Sequence, residues 1–355
     1  MSVMCARCET FMCRTGSRSA APSNCPMHES FPSFEALYAT AERQRMAYES
    51  ALVEATGYGR WTRIEEIAQL ADRMGYARIG IAHCPPTEAE ARRVAHLLER
   101  RGLEPILPEP VVRRDPAGQA ALFAERHSQF NVIAGMCVGH DAIFIRHSAV
   151  PVTSLIVSDR RFRHNPAAAL YTSRSYTRDA LYQKQRRIGP QPFAGWDTVT
   201  LARVAAEVGL AAGEDWCRLE EIMEFANRLG AIHLGIVFCV GFRNEASLLT
   251  DVLEANGFHV SSACCKTGSV PKEALGIEES QKLHPHRPEM MCNSLAQAEL
   301  LNRENVQLVL LLGQCVGHDS ATMSLLRAPA VCVVAKDRVL GHNTVAALGD
   351  GPTVP

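Results

Sequence analysis

The chain has no apolar run long enough to span a bilayer, and its amino terminus lacks the basic-then-apolar order of a signal peptide. No membrane partner is therefore expected, and the cytoplasm is the expected compartment. There is no surplus of positive charge either. The formal net charge is -1, so no basic field is available to hold a phosphate backbone, and no nucleic-acid partner is expected. The one short basic cluster, Lys184-Gln185-Arg186-Arg187, reads as a solvated linker. Neither G-x-G-x-x-G nor G-x-x-x-x-G-K occurs, which removes the usual phosphate-cradling glycine loops.

What the chain does have is cysteine. Thirteen in 355 residues is high for a compartment that keeps thiols reduced, and clustered thiols there read as metal ligands or redox groups rather than as a disulfide framework. Cys5, Cys8, Cys13 and Cys25 make a C-x2-C-x4-C-x11-C pattern closed by Pro26. Four thiolates so close together can surround one zinc ion or one iron-sulfur cluster. Three in close order with a distant Cys-Pro is the looser style of a 4Fe-4S segment, whereas zinc sites more often pair two C-x2-C knuckles. His28 reads as a surface histidine. Cys217 and Cys332, with no Cys or His nearby in sequence, read as small core residues.

A repeat organises the rest. Gly135-Met136-Cys137-Val138-Gly139-His140-Asp141 returns 178 residues later as Gly313-Gln314-Cys315-Val316-Gly317-His318-Asp319. Trp61-Thr62-Arg63-Ile64-Glu65-Glu66-Ile67 returns 155 residues later as Trp216-Cys217-Arg218-Leu219-Glu220-Glu221-Ile222. The difference between 178 and 155 is a 23-residue insertion in the second copy, and it brings Cys264, Cys265 and Cys292. Within each copy, amphipathic helical stretches alternate with short apolar runs. That alternation predicts parallel β-α-β units with right-handed crossovers.

The expected fold is α/β: two tandem Rossmann-like open parallel-sheet domains behind a short Cys-rich metal-binding segment. The expected divisions are a head over 1–30, a first, degenerate repeat over 31–172, a linker and leading helix over 173–212, and a second repeat over 213–355. Ser33 is placed to cap one helix running to residue 56. The two copies are expected to pack as a pseudo-dimer within the chain.

Ligands of open parallel sheets bind outside the carboxyl ends of the strands. In the second copy that rim receives Cys239, Cys264 with Cys265, Cys292 from the insertion, Cys315 with His318 and Asp319, and Asp337 with Arg338, His342 and Asn343. Cys239, one of Cys264 and Cys265, Cys292 and Cys315 would form a second four-thiol metal set. Adjacent cysteines cannot both face the same way without strain, and Lys266 beside them favours a thiolate. Cys315, His318, Asp319, Asp337 and His342 are the candidate catalytic groups. Asp319 is expected either to orient His318 or to cap a helix, and Asp337-Arg338 to close a loop as an ion pair. The first copy keeps Cys84, Cys137, His140, Asp141, Asp159 and His164, but Pro85-Pro86 follows its strand Cys and nothing corresponds to the insertion.

Several motifs together resemble an uncharacterised family of cysteine-rich, metal-binding-type proteins filed as a domain of unknown function. They are the head pattern, Arg218-Leu219-Glu220-Glu221-Ile222, Ala263-Cys264-Cys265-Lys266-Thr267-Gly268, Met291-Cys292-Asn293-Ser294-Leu295-Ala296-Gln297-Ala298-Glu299, the Cys-Val-Gly-His-Asp turn, and Lys336-Asp337-Arg338-Val339-Leu340-Gly341-His342-Asn343. The resemblance covers 1–28 and 213–348 closely. It implies metal binding, not a reaction, and the extra first copy departs from the family's usual single domain. The expected cofactor is zinc or a 4Fe-4S cluster, and the expected partner a small molecule or metal ion. Expected activity is redox or Lewis-acid chemistry on a small substrate. The alternatives are a thiol-redox or soft-metal trafficking protein using Cys264, Cys265 and Cys315, and a zinc-stabilised interaction module without catalysis.

Overall fold

A computed structural model describes residues 3–28, 33–182 and 195–349; the Lys184–Arg187 cluster and the Gly189-Pro190-Gln191-Pro192 stretch lie outside them. In the first half, α1 (Phe34–Leu37), α2 (Ala41–Gly57) and α3 (Arg63–Met74) precede β1 (Arg78–Ala82). Then follow α4 (Glu88–Glu99), β2 (Glu104–Ile106), α5 (Pro116–Glu125), β3 (Phe130–Met136), α6 (Val138–His147) and β4 (Val152–Val157). Two short helices, α7 (Ala167–Tyr171) and α8 (Arg178–Leu181), lead away from it.

The second half repeats the order. It has α9 (Thr198–Ala212), α10 (Arg218–Leu229), β5 (His233–Phe238), α11 (Arg243–Ala255) and β6 (His259–Cys264). After the insertion come α12 (Ser294–Arg303), β7 (Leu308–Leu312), α13 (His318–Leu325) and β8 (Ala330–Val334). The result is two four-stranded parallel sheets, ordered β2-β1-β3-β4 and β6-β5-β7-β8. Every residue of β3, β7 and β8 is buried, as expected of parallel strands covered on both faces by helices. No helix among the described residues is long and apolar enough to cross a membrane.

The single helix expected over 33–56 is two. Ser33 caps only α1, and the chain restarts at Thr40, whose Oγ1 accepts from Arg43 N at 3.3 Å. The break lets Tyr38 turn inward, where its hydroxyl donates to Asn293 Oδ1 at 3.1 Å. The strands also stop short of their cysteines. Cys84 and Cys239 lie just beyond β1 and β5, at the start of one-turn 3-10 helices.

The two halves meet at the edges of β4 and β8 through buried charge. Arg63, 1% exposed, donates from Nε to Ser154 O (2.5 Å), from its NH1 group to Gln314 O and Lys336 O (3.0 and 3.2 Å), and from NH2 to Thr153 Oγ1 and Asp319 Oδ2 (3.1 and 2.6 Å). Arg218 does the reverse, reaching Met136 O, Cys332 O and Asp141 Oδ2. The first N–H of α3 donates to Asp337 Oδ2 at 2.8 Å and that of α10 to Asp159 Oδ2 at 2.9 Å. Each helix therefore has a carboxylate at its positive end, from the other half in the case of α3 and Asp337 and of α10 and Asp159.

Exposed edge strands are a pairing hazard. Here Cys332 N donates to Asp141 Oδ2 (3.2 Å) and Ser320 Oγ donates to Val152 O (2.6 Å), so side chains from the opposite half cover both edges. Helix α2 lies on α13 of the second half, and α9 lies on α6 of the first. The approach is close. A Cβ on Gly317 would stand 1.9 Å from Ser50 Oγ, and one on Gly139 would stand 2.2 Å from Ala205 Cβ. This explains the glycine in both Cys-Val-Gly-His-Asp turns.

The head is not a separate body. Met4 bridges Ser262 beside β6, Ala6 N donates to Ser262 Oγ at 2.8 Å, and Arg7 pairs with Asp251 and Glu254 on α11. At the other end, Leu348 joins the core under α3 and α4 of the first half.

Candidate functional site

Cysteines gather at three places. In the head, Cys5, Cys8, Cys13, Cys25 and Cys264 line one cavity of about 250 Å³. Cys264, the last residue of β6, is buried with Cys13 and Cys5 as its charged-form neighbours. Burial pushes the Cys5 thiol up to about 12, with Cys25 and Cys8 adding to it. Such thiols lose their protons when a metal ion takes the place of the proton on sulfur, so metal binding there releases protons. His28 is exposed, its Nε2 lying 3.3 Å from Ala21 O, away from the thiols.

The second place is the rim of the second sheet. Cys265 turns the opposite way from Cys264, and its Sγ lies 3.8 Å from that of Cys292. Cys239 neighbours both Cys265 and Cys315. Cations are packed among these sulfurs. Lys336 Nζ is 2.8 Å from Cys239 and 3.8 Å from Cys315, Lys266 Nζ is 3.4 Å from Cys292, and the Arg338 NH2 group is 3.1 Å from Cys315.

Glu54, from α2, roofs the group. Its Oε1 is 2.9 Å from Arg338 and 3.5 Å from Cys315, and its Oε2 is 3.9 Å from Cys292. Burial works to raise this carboxyl, but Arg338, Lys266 and His318 hold it well below the usual carboxylate range. Glu54, Cys292 and His318 bring their donor atoms within 4.8 Å of one another.

Charge is distributed unevenly among the thiols. The Cys265 thiol and the Lys266 ammonium draw Cys292 well below an ordinary thiol, against burial. Cys239 and burial push Cys315 up to about 12, against Arg338. Burial opposes protonation of His318, yet Cys292 and Cys315 raise it to about 9. A cavity of about 600 Å³ opens onto this rim. Its basic lining, Arg14, Arg243, Lys266, Lys272, Arg287, Lys336 and Arg338, outweighs the acidic Glu54 and Glu289.

The third place is the rim of the first sheet, where Cys84, Cys137 and His140 also place their donors within 4.8 Å of one another. Here Asp141 turns away to Arg218.

The model of a family described as "Protein of unknown function (DUF1847)" matches residues 24–107, 109–155 and 182–333. The chain belongs to this family. "Uncharacterized protein MJ0455" of Methanocaldococcus jannaschii is 36% identical over 152 residues, which cover 43% of this chain and 77% of that relative. Among solved structures, Dph2 from Pyrococcus horikoshii with a 4Fe-4S cluster aligns over 82% of this chain and 93% of its own at 12% identity and a TM-score of 0.24. PH1733, an aspartate racemase homologue from Pyrococcus horikoshii OT3, aligns over 77% and 99% at 13% identity and a TM-score of 0.19.

In this member of the family, the structure brings together Cys239, Cys265, Cys292, Cys315 and His318, and separates them from the other candidates. Asp319 does not orient His318: it is committed to Arg63 and Thr153 Oγ1, because the half-to-half contact needs a carboxylate there. Nor does Asp337 pair with Arg338. Its oxygens accept from Arg63 N, Val339 N and Leu340 N, while Arg338 turns to Glu54 and Glu66. His342 packs on Phe242 with ring centroids 4.5 Å apart, and burial with nearby Lys336 lowers it to about 4. Cys264 belongs with the head rather than the rim. Cys217 and Cys332 are buried, Cys217 in the main core and Cys332 with Val157 and Ala335.

Glu54, Lys336 and Arg63 were not legible as site or interface residues. One signal was available: at the offsets 155 and 178, Glu54 faces Gly209 and Lys336 faces Ser158, so both charges are peculiar to the rim with the extra cysteines.

Proposed function

We propose that this protein is a cytoplasmic metalloprotein whose metal or cluster is held by the amino-terminal head together with Cys264, with a second, thiolate-rich site on the rim of the second sheet, acting by redox or Lewis-acid chemistry on a small anionic substrate. The observation that carries the reading is the opposed facing of Cys264 and Cys265. Through it, one strand end supplies a thiol to the head cavity and another to the rim. Zinc–sulfur bonds of about 2.3 Å place tetrahedral thiolates about 3.8 Å apart. Five thiols, Cys5, Cys8, Cys13, Cys25 and Cys264, surround one cavity of about 250 Å³, which supports a 4Fe-4S cluster held by four of them. The basic lining of the rim cavity favours an anionic substrate. We further propose that the two halves descend from an internal duplication and pack as the subunits of an ancestral single-domain dimer.

Anaerobic purification with metal analysis and a visible spectrum tests this. Cys264→Ser is expected to lower the metal content and bleach the iron-sulfide absorbance of the head, whereas Cys265→Ser leaves that absorbance intact. Metal-free protein with every thiol titratable would overturn the reading. It would favour the thiol-redox alternative, for which the 3.8 Å between Cys265 and Cys292 is the supporting observation. A colourless protein with stoichiometric zinc would favour the interaction module.

A further inference from the structure

The rim of the first sheet, with nothing corresponding to the insertion, still holds three soft donors. Cys84 follows β1, Cys137 follows β3 and serves as the N-cap of α6, and His140 stands in the first turn of that helix. Since β1 and β3 are neighbours, their carboxyl ends deliver the three side chains to one point. Cys84 Sγ and His140 Nδ1 are 3.0 Å apart, and all three donor atoms lie within 4.8 Å of one another. Tetrahedral coordination with bonds of about 2.3 Å to sulfur and about 2.0 Å to nitrogen needs donor separations of about 3.6 Å, a value that lies between the 3.0 Å separating Cys84 from His140 and the 4.8 Å that bounds the set.

The comparison between the rims is decisive. The second rim has the corresponding Cys239, Cys315 and His318, but it places the Lys336 ammonium 2.8 Å from Cys239. Residue 158 takes that position in the first rim, and it is a serine. Glu54 likewise has Gly209 as its counterpart, whose Cβ would have only Arg160 within reach. The lysine that occupies the thiol pair in one copy is thus replaced by a neutral group in the other.

We infer that Cys84, Cys137 and His140 bind a divalent metal of the zinc class, with a coordination position left open on the half-exposed side formed by Cys137 and His140. A Cys2His set with an open fourth position is a known donor set for zinc that binds water or substrate. The site is independent of the head and the rim of the second sheet, and it stands or falls without them.

The test uses full-length protein and zinc alone as the probe, with alkylation of Cys84 and Cys137 followed by peptide mass mapping. Zinc is expected to shield both cysteines. In His140→Gln the concentration giving half-shielding should rise by more than about 100-fold, since removing even an outer-shell partner of a metal ligand costs about 10–100-fold. If that variant does not fold, Cys84→Ser read at the Cys137 peptide serves instead, again with shielding lost. Ser158→Lys, which installs the ammonium of the second rim, should also abolish shielding while the fold persists. Alkylation of Cys137 that is unchanged by zinc in the wild-type chain would overturn the inference and leave Cys137 and His140 as a thiolate–imidazole pair. Wild-type shielding retained in His140→Gln would overturn it equally.

Discussion

Replacing Arg63 by leucine removes one guanidinium that donates to five acceptors. Asp319 keeps only Thr153 Oγ1 and the Ser320 and Ser154 amides, while the carbonyls of Ser154, Gln314 and Lys336 lose a donor. Breaking a buried ion pair from one side costs about 3–5 kcal/mol, because the remaining charge stays buried. A single unsatisfied buried carbonyl adds about 1–3 kcal/mol, less where a neighbour or water can approach. The expected loss is therefore at least about 4 kcal/mol. With about 2.1 cal/mol/K of unfolding entropy per residue, that lowers the midpoint of a chain of 355 residues by about 5 °C or more.

Urea denaturation followed by far-ultraviolet circular dichroism measures the loss. Arg63→Met combined with Asp319→Leu should recover much of it, because both charges then leave the interior together. Arg63→Lys should fall between, since an ammonium can meet Asp319 but cannot span the three carbonyls. A stability of Arg63→Leu within about 1 kcal/mol of wild type would refute the view that this cage holds the halves together.

Gly317→Ala should destabilise by more than about 2 kcal/mol, because the new methyl meets Ser50 Oγ and the residue sits at φ +79°; adding Ser50→Gly should recover part of the loss in the same denaturation assay. Lys336→Met should slow alkylation of Cys239 in metal-free protein at pH 8 by at least about tenfold, since the ammonium beside that sulfur favours the thiolate; an unchanged rate, read by mass mapping, would separate Lys336 from thiol activation. His342 is lowered to about 4 by burial and Lys336, so the folded state binds its proton less well than the unfolded chain does. Its contribution is complete above about pH 6.5 and is lost as pH falls from there toward 4, and His342→Gln should flatten that part of the stability profile.

The Cys-Val-Gly-His-Asp turns, the paired Trp-x-Arg-x-Glu-Glu-Ile openings and the apolar runs between them were sufficient for two parallel sheets, because period and turn chemistry are local properties that need no knowledge of neighbours. They also brought most of the thiols to the strand ends, since a parallel sheet sends every carboxyl end to the same side. Local patterning could not say which way each of two adjacent cysteines faces; that depends on the head lying along β6, a contact between residues more than two hundred positions apart. The same holds for Asp319 and Asp337, which their local sequence offers as site residues and the opposite half takes as partners for α3. Glu54 reaches the rim from a helix assigned to the other copy, because two sheets with exposed edges become stable by covering each other. That requirement belongs to the assembled molecule and is not contained in any stretch of its chain.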